Sequence, residues 1–305
     1  MVAGGQQPAI PVVAFLGSAS PEGFALMVQG FRQGLENGGF HEGKDVVIEY
    51  RWAHNQIDRL PALAQEIVAL RPRVIAATGG SDAIFAAKAA TSSVPIVFVS
   101  GADPVETGVV TNLNHPGGNI TGVTFFLTTL LAKRFELLRE AVPNAKVFGF
   151  ILNPNGPDGH IYLRDIEALQ TRLGQDFVIA RATSADALDA AFAHMAAEHV
   201  DAIVFAPDPF FFDRRDIVAA NVKRLGVPAI GSSFDGVLLS YGASIPEAYR
   251  MCGLKITRIL KGEKPADLPI EQSTKLILTV NLKAAKALGL EVPASLLARA
   301  NEVIE

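Results

Sequence analysis

The chain has 305 residues, about two ordinary domains' worth, with 49% apolar and 19% charged residues and a net charge of −4. That composition supplies ample core and excludes a disordered chain, while the acidic balance argues against a nucleic-acid binder. The single cysteine, Cys252, excludes an intramolecular disulfide and a cysteine-held zinc cluster, and no apolar run reaches the ~18 residues of a membrane span.

Residues 1–8 carry neither the basic nor the apolar region of a signal peptide. Short β-branched apolar runs then alternate with helix-length amphipathic segments, the signature of buried parallel strands joined by crossover helices. The first unit sets strands at 12–16, 45–50, 74–77 and 95–99, with helices at 23–37, 60–70 and 82–91. A strand at 119–124 leads out of it, and a helix at 130–142 opens the next unit. There the strands fall at 146–152, 177–181, 201–205 and 227–231, with helices at 160–173, 185–198 and 213–225.

The two units correspond in detail. Residues 73–77 match 201–205, and 93–97 match 226–230, each of the latter pair entered by a valine-proline step (Val94-Pro95 and Val227-Pro228). The pattern predicts an α/β fold of two doubly wound parallel-sheet lobes. The tail adds a helix at 246–261, a strand at 275–280 and a last helix from Leu282. It is too short for a third domain and is expected to return to both lobes through a multi-strand hinge. Residues 9–121 with 241–273 then form one lobe, and 122–240 with 274–305 the other.

In open parallel sheets, ligands bind beyond the carboxyl ends of the strands, where strand order reverses. The candidates at those ends are Ser18, Ser20, Thr78, Gly80, Ser81 and Asp103 in the first lobe. The second lobe contributes Asn153, Asn155, Asp208 and Phe234, with Tyr241 at the hinge. Such loops feed helix starts, whose free N–H groups and positive dipole end suit an anion. The Gly79-Gly80-Ser81 turn is the best anion site, and Asp208 is the expected counter-charge for a cationic group. Each of these residues also has a plain reading as a helix cap.

Catalytic constellations are weak: there is no Gly-x-Gly-x-x-Gly, no phosphate-binding Gly-Lys-Ser/Thr loop and no Gly-x-Ser-x-Gly elbow. The six histidines are scattered, and His194 and His199, five apart, do not share a helix face. Cys252 reads as a small buried hydrophobe. No catalytic residue, metal or cofactor is expected. Phe210, Phe211 and Phe212 directly follow a strand, and from a loop they cannot all face one core, so at least one is expected at a cleft. Phe210 and Phe211, with Trp52, Phe234 and Tyr241, are candidates for an apolar wall. Few long charged side chains stand at the strand ends, Arg51 and Arg181 excepted, so the expected cargo is amino acid-like rather than a sugar. Two other readings stay open: a ligand-sensing receptor module of the same fold, and a doubly wound hydrolase using Ser81 or Asp103.

Several stretches, taken together, resemble ABC-transporter substrate-binding proteins, whose best-known members bind tryptophan and related amino acids. They are Glu42-Gly43-Lys44-Asp45-Val46-Val47-Ile48-Glu49-Tyr50-Arg51, Asn112-Leu113-Asn114-His115-Pro116-Gly117-Gly118-Asn119, Lys261-Gly262-Glu263-Lys264-Pro265 and Asn281-Leu282-Lys283-Ala284-Ala285-Lys286-Ala287-Leu288-Gly289-Leu290. The resemblance covers residues 10–305 and implies a periplasmic-binding-protein-like type I fold with three hinge crossings. It further implies a periplasmic location, an export signal having preceded the present start, and delivery of the ligand to an inner-membrane ABC permease. A shuttle of this kind works as a monomer.

Overall fold

The structure is a computed structural model and describes residues 10–155, 158–232 and 236–305. Its first half alternates β1 (Val12–Gly17), α1 (Ala25–Asn37), β2 (Val47–Trp52), α2 (Leu60–Ala69), β3 (Val74–Thr78), α3 (Ser81–Ala90), β4 (Ile96–Ser100) and β5 (Ile120–Thr124). The second half runs through α4 (Leu131–Ala141), β6 (Phe148–Leu152), α5 (Gly159–Leu173), β7 (Val178–Arg181), α6 (Ala185–Ala197) and β8 (Ala202–Phe205). It continues with α7 (Pro209–Asp213), α8 (Arg215–Leu225), β9 (Ala229–Gly231) and β10 (Leu239–Ala243). The tail contributes α9 (Ile245–Leu260), β11 (Glu271–Gln272), β12 (Leu276–Asn281), α10 (Leu282–Ala287), α11 (Ala294–Leu297) and β13 (Glu302–Ile304).

Two sheets form. The first has the order β2-β1-β3-β4-β5-β11 and is parallel throughout. The second runs β7-β6-β8-β9-β10-β12-β13, with only β12 antiparallel to its neighbour β10. The doubled pattern of the sequence is therefore a doubled topology: strands 2-1-3-4 of each unit lie in the same order.

Helices cover both faces of each sheet, which is why the central strands read as continuous apolar runs rather than as alternations. Along β1, Val13 and Phe15 pack into the core under α1, while Ala14 and Leu16 pack with Leu63, Ile67 and Ile84 on the opposite face. α1 lies directly against α9, and glycines make the approach possible. A Cβ at Gly34 would meet the Arg250 carbonyl, and one at Gly253 would meet the Phe31 carbonyl.

The chain passes between the sheets three times: after Thr124 of β5, after Ala243 of β10, and between β11 and β12. Lys255 of α9, fully buried, anchors the last passage by donating to the Pro269 carbonyl at 2.8 Å and to Glu271 Oε1 at 2.6 Å. Removing Glu271, itself partly exposed, would leave the buried Lys255 ammonium with only the Pro269 carbonyl, a costly way to disturb the passage. Among the described residues, no helix is long and apolar enough to cross a membrane.

The differences from expectation are local. Residues 209–213 form the short helix α7 instead of a loop, because Asp208 caps it and Pro209 occupies its first position. Trp52 ends β2 instead of following it, and the last helix is shorter, giving way to α11 and the edge strand β13.

Candidate functional site

In each sheet the strand order reverses at the first strand of the unit, between β1 and β3 and between β6 and β8. The two reversal points face each other across the cleft, which is where an open α/β sheet receives a ligand. From β1 comes Ser18, whose hydroxyl donates to the Gly79 carbonyl. Gly79 has φ of +84°, and a Cβ there would collide with the Ser18 hydroxyl, so only glycine fits this turn. Gly80 follows with φ of +111°, and Ser81 opens α3.

From the second sheet, the Asp208 carboxylate accepts from the Phe210 N–H at 2.8 Å as the cap of α7 and is also hydrogen-bonded by Asn153. Asp158, at the start of α5, accepts from the Ser81 hydroxyl at 2.8 Å. That bond joins the two units across the cleft.

These groups surround two connected cavities. Both units line the inner one. The first contributes Phe24, Val99, Ile245 and Tyr249, and the second contributes Tyr162, Asp208, Phe212 and Ser232, with Phe125 and Leu127 from the passage after β5. Phe24 and Phe212 meet edge to face across the cleft, with centroids 5.6 Å apart, and Phe24 meets Tyr249 at 6.2 Å. The Tyr249 hydroxyl is fixed by the Thr78 side chain and the Gly79 backbone. The outer cavity shares Gly79, Gly80, Asp158 and Asp208 with the inner one and adds Ser18, Ser81, Asn153, Asn155 and Phe210.

The electrostatics are one-sided. Burial pushes the Asp208 carboxyl up to about 7 and the Asp82 carboxyl, with Asp158 nearby, up to about 6. Burial raises Asp158 as well. No lysine, arginine or histidine is among the described residues lining either cavity. Such a site lacks a cation, and its apolar wall suits a ring.

Of the residues expected from the sequence, Ser18, Gly80, Ser81, Asn153, Asn155 and Asp208 come together around these cavities, with Thr78 beneath Tyr249. Ser20 lies at the cleft rim, donating to Asp213. Asp103 caps its own loop, accepting from the Val105 N–H at 2.8 Å, and lines neither cavity. Tyr241 sits within β10, packed on the second core, and its carbonyl accepts from Arg134. Phe234 lies outside the described residues. The Gly79-Gly80-Ser81 turn, expected to hold an anion, already carries two carboxylates at the helix start, Asp82 and Asp158.

The three phenylalanines diverge: Phe211 enters the core, Phe212 faces the inner cavity and Phe210 the outer one. Trp52 lines a separate groove with Tyr50. Phe24, Tyr162 and Tyr249 were missed. Phe24 and Tyr162 stand near the starts of helices that follow strand ends, so extending each strand-end loop into the next helical turn would have found them. Tyr249 comes from α9, in the tail, and no strand-end rule reaches it.

Two parallel-sheet lobes that share one cavity, with residues of both around it, define a two-lobed ligand-binding protein of the periplasmic-binding-protein-like type I fold. Residues 10–304 match the sequence profile described as ABC transporter substrate binding protein, and the chain belongs to that family. It is 24% identical over 267 residues to a tyrosine-binding protein of Clostridioides difficile, covering 86% of this chain and 76% of the relative. A conserved domain protein of Vibrio cholerae superposes with a TM-score of 0.87 at 24% identity, over 96% of this chain and 99% of the other. An ABC domain from Streptococcus pneumoniae in complex with L-Trp superposes with a TM-score of 0.86 at 22% identity, over 97% and 100%.

Proposed function

We propose that the protein is the solute-binding component of an ABC importer, closing its lobes on an amino acid with an aromatic or apolar side chain and delivering it to a membrane permease. The observation that carries this reading is the inner cavity itself. It has aromatic walls from both lobes, with Asp158 and Asp208 at one end and no basic side chain among the described lining residues. The ligand's ammonium pairs with these two carboxylates, and its side chain lies among Phe24, Phe212 and Tyr249. The names of the relatives, a tyrosine-binding protein and an L-Trp complex, support the same class of cargo.

In this reading the site residues are Ser18, Gly80, Ser81, Asn153, Asn155 and Asp208, with Ser20 acting at the rim. The lobes are 9–121 with 241–273 and 122–240 with 274–305, divided beside the three passages between the sheets. The protein works outside the cytoplasmic membrane, as a monomer and without catalysis. Closure surrounds the ligand, and the population of the closed state couples binding to transport.

A thermal-shift panel followed by calorimetry tests it, because a bound ligand stabilises by mass action. Phenylalanine, tyrosine, tryptophan and leucine are compared with pentoses. The expected result is a response to aromatic amino acids. Tight pentose binding with no amino-acid response would overturn the cargo and leave the transport role standing.

A further inference from the structure

Many of the hydrogen-bond donors around the two cavities are already committed. The Ser18 hydroxyl donates to the Gly79 carbonyl and the Ser81 hydroxyl to Asp158. The Asn153 side chain serves Asp208, and the Gly79 backbone holds the Tyr249 hydroxyl. Asn55 Nδ2, in the outer wall, donates to Asp213.

The charges lean the same way. Asp158 and Asp208 line both cavities, and Asp58 and Asp82 line the outer one. No lysine, arginine or histidine lines either cavity among the described residues. Residues 1–9, 156–157 and 233–235, outside the described ones, include no basic side chain either. Desolvating a carboxylate is costly unless a cation or several donors replace its water. The start of α3 is the natural place for an anion. Asp82, however, stands in its first turn, and Asp158 is tied to Ser81. Beyond the effect of burial, the charges of Asp158 and Asp82 hold the Asp208 carboxyl up, so the local potential opposes a further negative charge. A zwitterionic amino acid carries its carboxylate on the carbon that bears the ammonium, and both groups enter that field.

We propose that the cavity selects net-cationic aromatic amines, whose carboxylate is absent or replaced by a neutral polar group. The inference rests on the placement of ammonium and ring given above and narrows the ligand class within it. The ammonium sits at Asp158 and Asp208, and the ring lies among Phe24, Phe212 and Tyr249. A neutral polar substituent reaches the outer cavity, where Asn155 and Thr183 line the wall. A free amino acid binds more weakly, because its carboxylate lies unpaired among the aspartates.

Calorimetry on the full chain at pH 8 compares L-phenylalanine with phenethylamine and L-phenylalaninol, and L-tryptophan with tryptamine. Each carboxylate-free ligand should bind about tenfold or more tighter than its parent amino acid, the cost of one desolvated, poorly paired charge. In Asp82→Asn, checked for folding by circular dichroism, these ratios should narrow as one negative charge leaves the cavity wall. Parent amino acids that bind as tightly as the amines overturn the selectivity and leave the amino-acid reading standing. A folded Asp82→Asn variant that keeps the full ratios overturns the aspartates as their source. Should that variant fail to fold, the wild-type ratios decide. A response to none of these ligands overturns the aromatic-ammonium reading itself.

Discussion

Asp213, the last residue of α7, accepts a hydrogen bond from Asn55 Nδ2 at 2.6 Å across the mouth of the cleft. Its other carboxylate oxygen accepts from the Ser20 hydroxyl, and nearby Arg215 donates to the Gly23 carbonyl at 3.2 Å. One carboxylate of the second unit thus grips the loops after β1 and β2 of the first. A second tie, Arg164 to Glu106 at 2.5 Å, is largely exposed and weakened by solvent and salt. The Asp213 latch is partly buried and charge-assisted, so it is the stronger of the two.

Asp213→Ala should therefore loosen the closed form. We expect faster ligand release and an affinity lower by about 1–2 kcal/mol, roughly 5- to 30-fold. Stopped-flow dissociation measures it. Asn55→Ala and Ser20→Ala should each give part of the effect and combine non-additively with Asp213→Ala, because they share one partner.

Gly23→Ala probes the same contact by crowding. A Cβ at Gly23 would collide with the Asp213 carboxylate, which belongs to the opposite unit. The added methyl should hinder closure while sparing the folding of either lobe. Small-angle scattering with saturating ligand should report a more extended particle than wild type. An unchanged profile would count against the latch as a closure contact.

Inside the first lobe, Gly34→Ala should lower stability. Its Cβ would press on the Arg250 carbonyl and Gly253, and overpacking of this kind costs about 1–3 kcal/mol. The better helix propensity of alanine offsets up to about 1 kcal/mol, so the net sign is destabilising. A lower urea midpoint with an unchanged slope would show it.

The buried carboxyls predict a pH dependence with a definite sign. Burial raises Asp208 from 3.8 to about 7 and Asp82 from 3.8 to about 6. A carboxyl whose folded value lies above its unfolded value holds its proton more tightly in the folded protein. The unliganded fold therefore loses stability from these groups as pH rises from about 4 to about 7. An ammonium on the ligand favours the ionised carboxyls, so ligand affinity should rise over the upper part of this window and flatten above pH 8. Binding near pH 7 should also release protons, which calorimetry in buffers of different ionisation enthalpy counts. Affinity that falls with rising pH would remove the ammonium from these carboxylates.

Much of this was written in the sequence, for physical reasons. Parallel strands buried on both faces must be continuous apolar runs, so Val74, Ile96 and Ile203 announce themselves, and the valine-proline entries at Val94 and Val227 expose the repeat. Strand ends are local too, which is why Ser18, Gly80 and Asp208 were legible. The cavity walls were less so. Tyr249 reaches the site from α9, more than two hundred residues after β1, and only the return of the tail brings it there. Asp158 meets Ser81 across 77 positions of chain, a pairing no local pattern encodes. Arg134 looks like an ordinary surface arginine on an amphipathic helix until the packing of α4 under β10 buries it.

The Asp208 charge is separable from its structural duty. Its carboxylate caps α7, and α7 carries Phe212 into the cavity, so Asp208→Ala removes a cap and a counter-charge together. The cap alone is worth about 1 kcal/mol, and asparagine caps about as well as aspartate. Asp208→Asn should therefore leave α7 and the melting behaviour close to wild type near pH 6, where the native carboxyl is largely protonated. It should nevertheless weaken an ammonium ligand at pH 8 by about 1.5–3 kcal/mol through loss of the charged hydrogen bond. Asp208→Ala should weaken it at least as much and lower the melting temperature as well. The affinity difference between wild type and Asp208→Asn should shrink as pH falls from 8 to 6, because protonation takes the charge from the native residue too. Equal affinity of wild type and Asp208→Asn at pH 8 would leave Asp208 as a helix cap alone.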